Sequence, residues 1–274
     1  MIEKVRGNTY ITDIHGTCTG IYMLGGSRIV MIDSGRYPSD EFMQWLNRER
    51  LSVAAIIHTH LHIDHIANTV EIVSKYGCEA FASDNSTERG EYWEELVGCD
   101  ITGVEDDGSV VIDGHKFDTL YTPGHCDGHM VVITPDKVAF IGDAIMTEDL
   151  LKDAKLPYMK DTDISIKSMK RLKSIDDCIF AASHYGIIEG QEIHDAIEAN
   201  IDKHEELYRQ IKKIVVKPHT EDALTDKFLK NIGIWSEEVR NYEWIQSTAR
   251  RRIRELVNSR ALGKIKGTEI IIKL

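Results

Sequence analysis

His58-Thr59-His60-Leu61-His62-Ile63-Asp64-His65 stands between the apolar run Val53-Ala54-Ala55-Ile56-Ile57 and a stretch from Ile66 to Tyr76. The run reads as a buried strand. The later stretch reads as an amphipathic helix with Ile66, Val70 and Val73 on one face and Gly77 as its stop. In an extended segment side-chain direction repeats every two residues, so the imidazoles of His60 and His62 project to one side and converge. Asp64 and His65 follow as the chain turns into the helix, within reach of a second point close to the first. Crowding these rings around a carboxylate is costly unless a cation neutralises the carboxylate and keeps the rings unprotonated. The segment therefore predicts metal binding. His58 points to the other face and is read as structural.

Working outward, Ile29-Val30-Met31-Ile32, Val131-Val132-Ile133 and Val138-Ala139-Phe140-Ile141 are further short strands. Each runs into a turn or polar residue, namely Asp33-Ser34-Gly35, Thr134-Pro135-Asp136 and Gly142-Asp143. The pattern is mixed α/β with the reactive side chains at strand ends. At 274 residues, 42% hydrophobic and 28% charged, the chain holds one large or two modest domains with a core. That excludes a disordered tail protein and a disulfide-stapled mini-scaffold. No apolar run approaches the roughly 18 residues that cross a bilayer. No hydrophobic signal segment follows Met1 to Arg6, so a cytoplasmic protein without a membrane partner is expected. The five cysteines, Cys18, Cys78, Cys99, Cys126 and Cys178, are scattered without a C-x-x-C pair, against both a disulfide framework and a thiolate zinc ribbon. A formal net charge of -12 disfavours non-specific nucleic-acid binding as the main activity.

With the His60 to His65 segment in view, the sequence resembles the metallo-β-lactamase superfamily, whose H-x-H-x-D-H signature is matched by His60, His62, Asp64 and His65. Further motifs follow in the family's order: Asp33 in Ile32-Asp33-Ser34-Gly35, His125 in Thr122-Pro123-Gly124-His125, Asp143 in Gly142-Asp143, and His184 in Ser183-His184-Tyr185-Gly186. The match spans roughly residues 10 to 190. The resemblance implies an αββα sandwich with a dinuclear site between its sheets. One ion would be held by His60, His62 and His125, the other by Asp64, His65 and His184, with Asp143 between them and Asp33 bracing the loop. Nitrogen and oxygen donors suit two zinc ions best, with manganese or iron as alternatives. His62 keeps the hydrolase form of the signature, whereas flavin-coupled diiron relatives carry glutamate there. The Thr122 to His129 segment and the His204 to Ile211 helix resemble the lactamase-like subgroup that includes glyoxalase-II-like hydrolases and single-strand-specific ribonucleases. Ser183-His184-Tyr185-Gly186 departs from that subgroup, and no glutathione-binding basic set can be placed.

Such a site implies a hydroxide activated by the metal pair that attacks a small ester, thioester or lactone, with Asp64 as acceptor of the water's proton. A nuclease acting on single-stranded RNA or DNA is the alternative, since phosphodiester cleavage uses the same two-ion geometry. Cys126 reads as a small packing residue and His129 as support for a ligand. The segment from Leu150 to Asp163 is a candidate lid over the cleft.

From residue 190 onward 16 Lys+Arg stand against 14 Asp+Glu, which leaves 17 and 31 in the preceding part. The expected division is a catalytic domain over 1–204 and a helical or winged-helix appendage over 205–274. The appendage would comprise a Glu221 to Ile232 helix, one or two helices over Glu237 to Ser259, and a hairpin about Lys266-Gly267. Ala249, Ile253, Leu256 and Val257 form a buried stripe, leaving Arg250, Arg251, Arg252 and Arg254 as a basic flank. That flank is read as solvated, with phosphate contact or a partner interface as the sharper alternative; a homo-oligomer stays open.

Overall fold

The computed structural model describes residues 2–37, 39–86, 99–184, 186–235 and 242–274. Strands β1 (Ile2–Arg6), β2 (Thr9–Asp13), β3 (Cys18–Gly25), β4 (Arg28–Ile32), β5 (Ser52–Ile57), β6 (Glu79–Ser83) and β7 (Ile101–Val104) form one sheet in sequential order. β1 to β4 pair antiparallel and β4 to β7 parallel. A second sheet runs β13-β12-β11-β10-β9-β8, from β8 (Ser109–Ile112), β9 (His115–Tyr121), β10 (Met130–Ile133), β11 (Val138–Phe140), β12 (Ile179–Ala182) and β13 (Gly186–Ile188).

The apolar runs alternate between two cores because successive side chains leave a strand on opposite faces. Val30, Ile32, Ala55 and Ile57 face the second sheet and meet Phe117, Val132 and Phe140. Ile29, Met31, Val53 and Ile56 point outward onto helices α1 (Asp40–Arg48) and, beyond α2 (Ile63–Ile66), α3 (Thr69–Tyr76). After α4 (Glu148–Asp153), helices α5 (Thr162–Leu172) and α6 (Gln191–Ile214) cover the other sheet through Met169, Leu172, Ile193 and Ile197. The result is the expected αββα layering. Gly20 on β3 lets the sheets approach, since a Cβ there would lie 2.5 Å from the Phe140 ring.

Two expectations are corrected. The helix expected over Ile66 to Tyr76 is split into α2 and α3 at Ala67 and Asn68. The Asn68 side chain donates to the carbonyls of Ser34 and Tyr37 and accepts from the Ser39 amide, tying the break to the loop after β4. The second correction is the basic flank, because Arg252 is fully buried. Its guanidinium donates to Pro157 O at 2.8 Å, His204 Nδ1 at 3.0 Å and Thr162 Oγ1 at 3.2 Å. Arg250 pairs with Asp222, Arg254 with Glu221, and Arg251 lies against Tyr158. The arginines bind the chain to itself.

The 204/205 position falls inside α6. Ile193, Ile197 and Ile201 of that helix pack in the sandwich, while Leu207 and Ile211 pack with α7 (Glu221–Asn231) and α8 (Tyr242–Asn258) in a separate core. Strands β14 (His219–Thr220), β15 (Leu262–Lys264) and β16 (Ile270–Lys273) complete this region as a sheet of order β14-β16-β15. Residues 237–241 of the expected tail helices lie outside the described residues. No helix among the described residues is long and apolar enough to cross a membrane.

Burial, followed by the charges of Arg252 and Lys203, drives the His204 pKa well below its ordinary value, so the folded state keeps the neutral ring that accepts from Arg252. An unfolded histidine protonates near pH 6.5, so this contribution to stability is present above that pH and lost as the pH falls towards the depressed folded value. Urea unfolding at pH 7.5 and 5.5 is expected to show a smaller loss of midpoint on acidification in His204→Gln than in the parent. Equal losses would remove His204 from the acid response.

Candidate metal centre

The chemistry-bearing residues all follow the C-terminal ends of strands. Asp33 leaves β4, the His58 to His65 segment leaves β5, His125 lies beyond β9, Asp143 beyond β11 and His184 beyond β12. The two sheets therefore deliver their polar ends to one edge of the sandwich. There the strands give way to loops that aim side chains inward.

Two groups of possible donors result: His60, His62 and His125, and Asp64, His65, Asp143 and His184. Within each group the nearest ligand atoms lie within 4.8 Å of one another. In the first, His62 Nδ1 is 3.1 Å from His60 Nε2 and 3.0 Å from His125 Nε2. Two nitrogens held at roughly 2.0–2.1 Å by a tetrahedral ion lie about 3.3 Å apart, close to this spacing. Burial holds the pKa values of His60 and His125 well below the ordinary imidazole value, so both rings are neutral and carry lone pairs.

In the second group, His184 Nε2 is 3.4 Å from both Asp64 Oδ2 and Asp143 Oδ2, and His65 Nε2 is 3.6 Å from Asp143 Oδ1. Asp143 Oδ2 also lies 3.5 Å from His125 Nε2, so this carboxylate faces both groups. His65 Nε2 and Asp143 Oδ1 are buried without a hydrogen-bond partner among the described residues. A divalent cation between them would satisfy both by taking the place of the imidazole protons, and the imidazole and carboxylate donor set fits it. Burial opposes charge throughout this group. It is outweighed at His65 by Asp33 and Asp143, which raise the imidazole pKa, and at Asp143 by His65, which keeps the carboxyl well below its ordinary range. At His184, Asp143 and Asp64 prevail over burial and raise the pKa to about 10.

Asp33 organises the loop from behind. Its Oδ1 accepts from the Thr59 amide at 2.8 Å, and its Oδ2 accepts from Thr59 Oγ1 and His65 Nδ1, each at 2.8 Å. His60 Nδ1 lies 3.1 Å from the same Thr59 hydroxyl. One buried carboxylate thus fixes the inward-facing nitrogen of a residue in each donor group. Asp33 adopts φ 62°, a left-handed backbone that aspartate tolerates. His58 is a structural residue, buried against Thr69 Oγ1 at 3.1 Å. His129 bonds Thr122 Oγ1 at 2.8 Å and accepts the Asp143 amide at 3.2 Å, so it supports Asp143 through its backbone. Gly142, at φ 52°, leaves room for that ring: a Cβ there would sit 2.5 Å from His129 Nε2. Cys126 is a buried small residue, and no disulfide joins any of the five cysteines.

The donors open onto a cavity of about 990 Å³. The segment from Leu150 to Asp163 begins in α4 and continues as irregular chain, from which Leu156, Pro157 and Tyr158 line the cavity. Sequence reasoning missed Thr59, whose hydroxyl links Asp33 to His60, and missed Trp244 as a lining residue. Thr59 was findable as the polar residue between His58 and His60. Trp244 carried no local signal, because only folding brings α8 to the cavity.

A family model described as the metallo-beta-lactamase superfamily matches residues 14–184, which include all seven possible donors. The chain belongs to the metallo-β-lactamase superfamily. A hydroxyacylglutathione hydrolase of Chromohalobacter salexigens is 29% identical over 122 residues, 44% of this chain and 44% of that protein. The chain spans about half the length of such curated relatives, the figure for the Idiomarina loihiensis enzyme being 53%. A Drosophila melanogaster beta-lactamase-like protein 2 homolog is 24% identical over 213 residues, 74% of this chain and 70% of the relative. Among solved structures, a metallo-beta-lactamase family protein of Thermus thermophilus superposes with TM-score 0.72 at 15% identity, over 97% of this chain and 99% of its own. That likeness extends the shared fold through the C-terminal region. The chain is thus a member of this superfamily with a side-chain cluster suited to metal.

Proposed function

We propose that this superfamily member uses two divalent metal ions, best matched by zinc, to hydrolyse a small ester, thioester or lactone. The carrying observation is the pair of donor groups that Asp143 faces together at the base of one cavity. His60, His62 and His125 would hold one ion and Asp64, His65 and His184 the other, with Asp143 between. Such a pair supplies a nucleophile from water at neutral pH and a Lewis acid for the carbonyl oxygen.

The chain's own groups do the rest. Asp33 and Thr59 hold the His60 and His65 rings in orientation, and the Gly16 carbonyl does so for His184 through Nδ1 at 2.7 Å. Asp64 remains partly open to the cavity. Burial pulls its pKa up, but His184 prevails and keeps the carboxyl below its ordinary range, so it is ionised and able to accept a proton from water. The bond cut is the acyl C–O or C–S bond; water adds to the acyl carbon and the alcohol or thiol leaves with a proton. Similarity to hydroxyacylglutathione hydrolases supports the thioester among these choices.

The nuclease alternative loses its main support, since the arginines read as a basic flank are engaged within the chain. We further read the C-terminal region as a winged-helix unit joined to the 1–204 catalytic domain within α6; the order β14, α7, α8, β15, β16 supports this. The absence of disulfides among the five cysteines supports a cytoplasmic setting.

Elemental analysis of purified protein, followed by a panel of esters, thioesters and lactones before and after chelation, tests the function. Close to two metal equivalents and chelator-sensitive hydrolysis are expected. Hydrolysis by fully demetallated protein at an unchanged rate would overturn it.

A further inference from the structure

We propose that the cavity selects an apolar, aromatic acyl group, laid against a wall formed by Tyr158 and, from the C-terminal region, Trp244. The inference rests on the hydrolase reading for the bond that is cut, and on the cavity alone for the group beside it.

Tyr158 stands next to the donors, its ring centroid 5.3 Å from His125 and 6.0 Å from His62. On its other side it stacks on Trp244, with centroids 4.7 Å apart and planes 13° apart. Arg251 Nη1 reaches the Tyr158 hydroxyl at 3.3 Å, and buried Arg252 holds the neighbouring Pro157 carbonyl. Three residues of α8 therefore fix one aromatic ring beside the candidate metal centre. Trp244 itself is 53% exposed and lines the cavity, so a core-packing role leaves half its surface unused.

The rest of the lining agrees. Ile145, Met146, Leu156 and Pro157 add apolar surface. Outside the donor groups Arg36 and Glu243 are the charged members among the described lining residues, one of each sign. A described lining without net charge favours an apolar group over a polyanion such as a nucleic acid or the two carboxylates of a glutathione leaving group. At about 990 Å³ the cavity lies at the upper end of the range for small-molecule sites, larger than an acetyl or lactoyl ester fills. An arylacyl thioester or ester supplies both the flat apolar group and the volume.

Two non-hydrolysable thioethers of N-acetylcysteamine, one carrying a phenylethyl and one an ethyl group, separate this wall from the chemistry. Calorimetric titration into the purified holoprotein is expected to show the phenylethyl compound binding at least about tenfold tighter, since a buried ring removes far more apolar surface from water. Trp244→Ala is expected to bring that ratio within about threefold, and Tyr158→Leu to lower it as well, whereas Val216→Ala, exposed outside the lining, leaves it unchanged. Equal binding of the two compounds by the parent, no binding of either at millimolar concentration, or an unchanged ratio in both wall variants would overturn the proposal. Hydrolysis of thioesters with a flat binding ratio would discard the wall and keep the hydrolase. A steep ratio without hydrolysis of any ester or thioester would do the reverse.

Discussion

A His60→Ala variant is expected to lose at least about 10³-fold in kcat/KM on whichever ester or thioester the parent cleaves, equivalent to about 4 kcal/mol of transition-state stabilisation. His60 Nε2 and His125 Nε2 flank His62 Nδ1 at 3.1 and 3.0 Å, and removing His60 leaves this group two of its three histidines beside the shared Asp143. The second group does not contain His60, so bound metal should fall towards one equivalent rather than to zero. Elemental analysis and turnover measured on the same preparation check both statements. Turnover within tenfold of the parent would remove His60 from the reaction.

The second large effect is expected at a residue that touches no substrate. Asp33→Asn preserves shape and tolerates the same left-handed backbone, but it replaces one acceptor oxygen by an NH2 group. The three hydrogen bonds from the Thr59 amide, Thr59 Oγ1 and His65 Nδ1 then cannot all be accepted. In the parent, burial opposes the Asp33 charge and the facing His65 and His58 outweigh it, so the carboxylate stays ionised at neutral pH. Removing the charge leaves His65 without its anchor, at an expected stability cost of about 3 kcal/mol or more. Metal affinity should fall about 10- to 100-fold, as for other groups that orient ligands from behind. Metal titration in a competing chelator and urea unfolding of the demetallated protein read the two effects separately. A variant with parental affinity would show that His65 is oriented by other means.

The site was far more legible than the surroundings that shape it. His60 and His62 announce themselves through a two-residue spacing, and both lie where an extended backbone puts them, because that periodicity is a local property of the chain. Asp33, His125, Asp143 and His184 were legible for a related reason: each directly follows an apolar run or sits in a short Gly-containing turn, and the family pattern fixes their order. The helix over Ile66 to Tyr76 was read too long because apolar spacing does not register a side chain that prefers another loop. Asn68 breaks the helix through bonds to Ser34, Tyr37 and Ser39, all distant in sequence.

Arg252 shows the limit most plainly. Composition makes Arg250-Arg251-Arg252-Ile253-Arg254 look like one basic face, yet burial differs among neighbours. It depends on where the Pro157 carbonyl, Thr162 and His204 arrive, and those positions are set by packing between separate layers. The sequence by itself determined strands β4, β5, β10 and β11, the candidate donors and the superfamily, since these rest on spacing along the chain and on residue chemistry. The tertiary structure alone decided that α8 turns Arg252 inward and sets Trp244 against Tyr158 beside the donors. Those contacts join residues far apart in sequence, and no local preference encodes them.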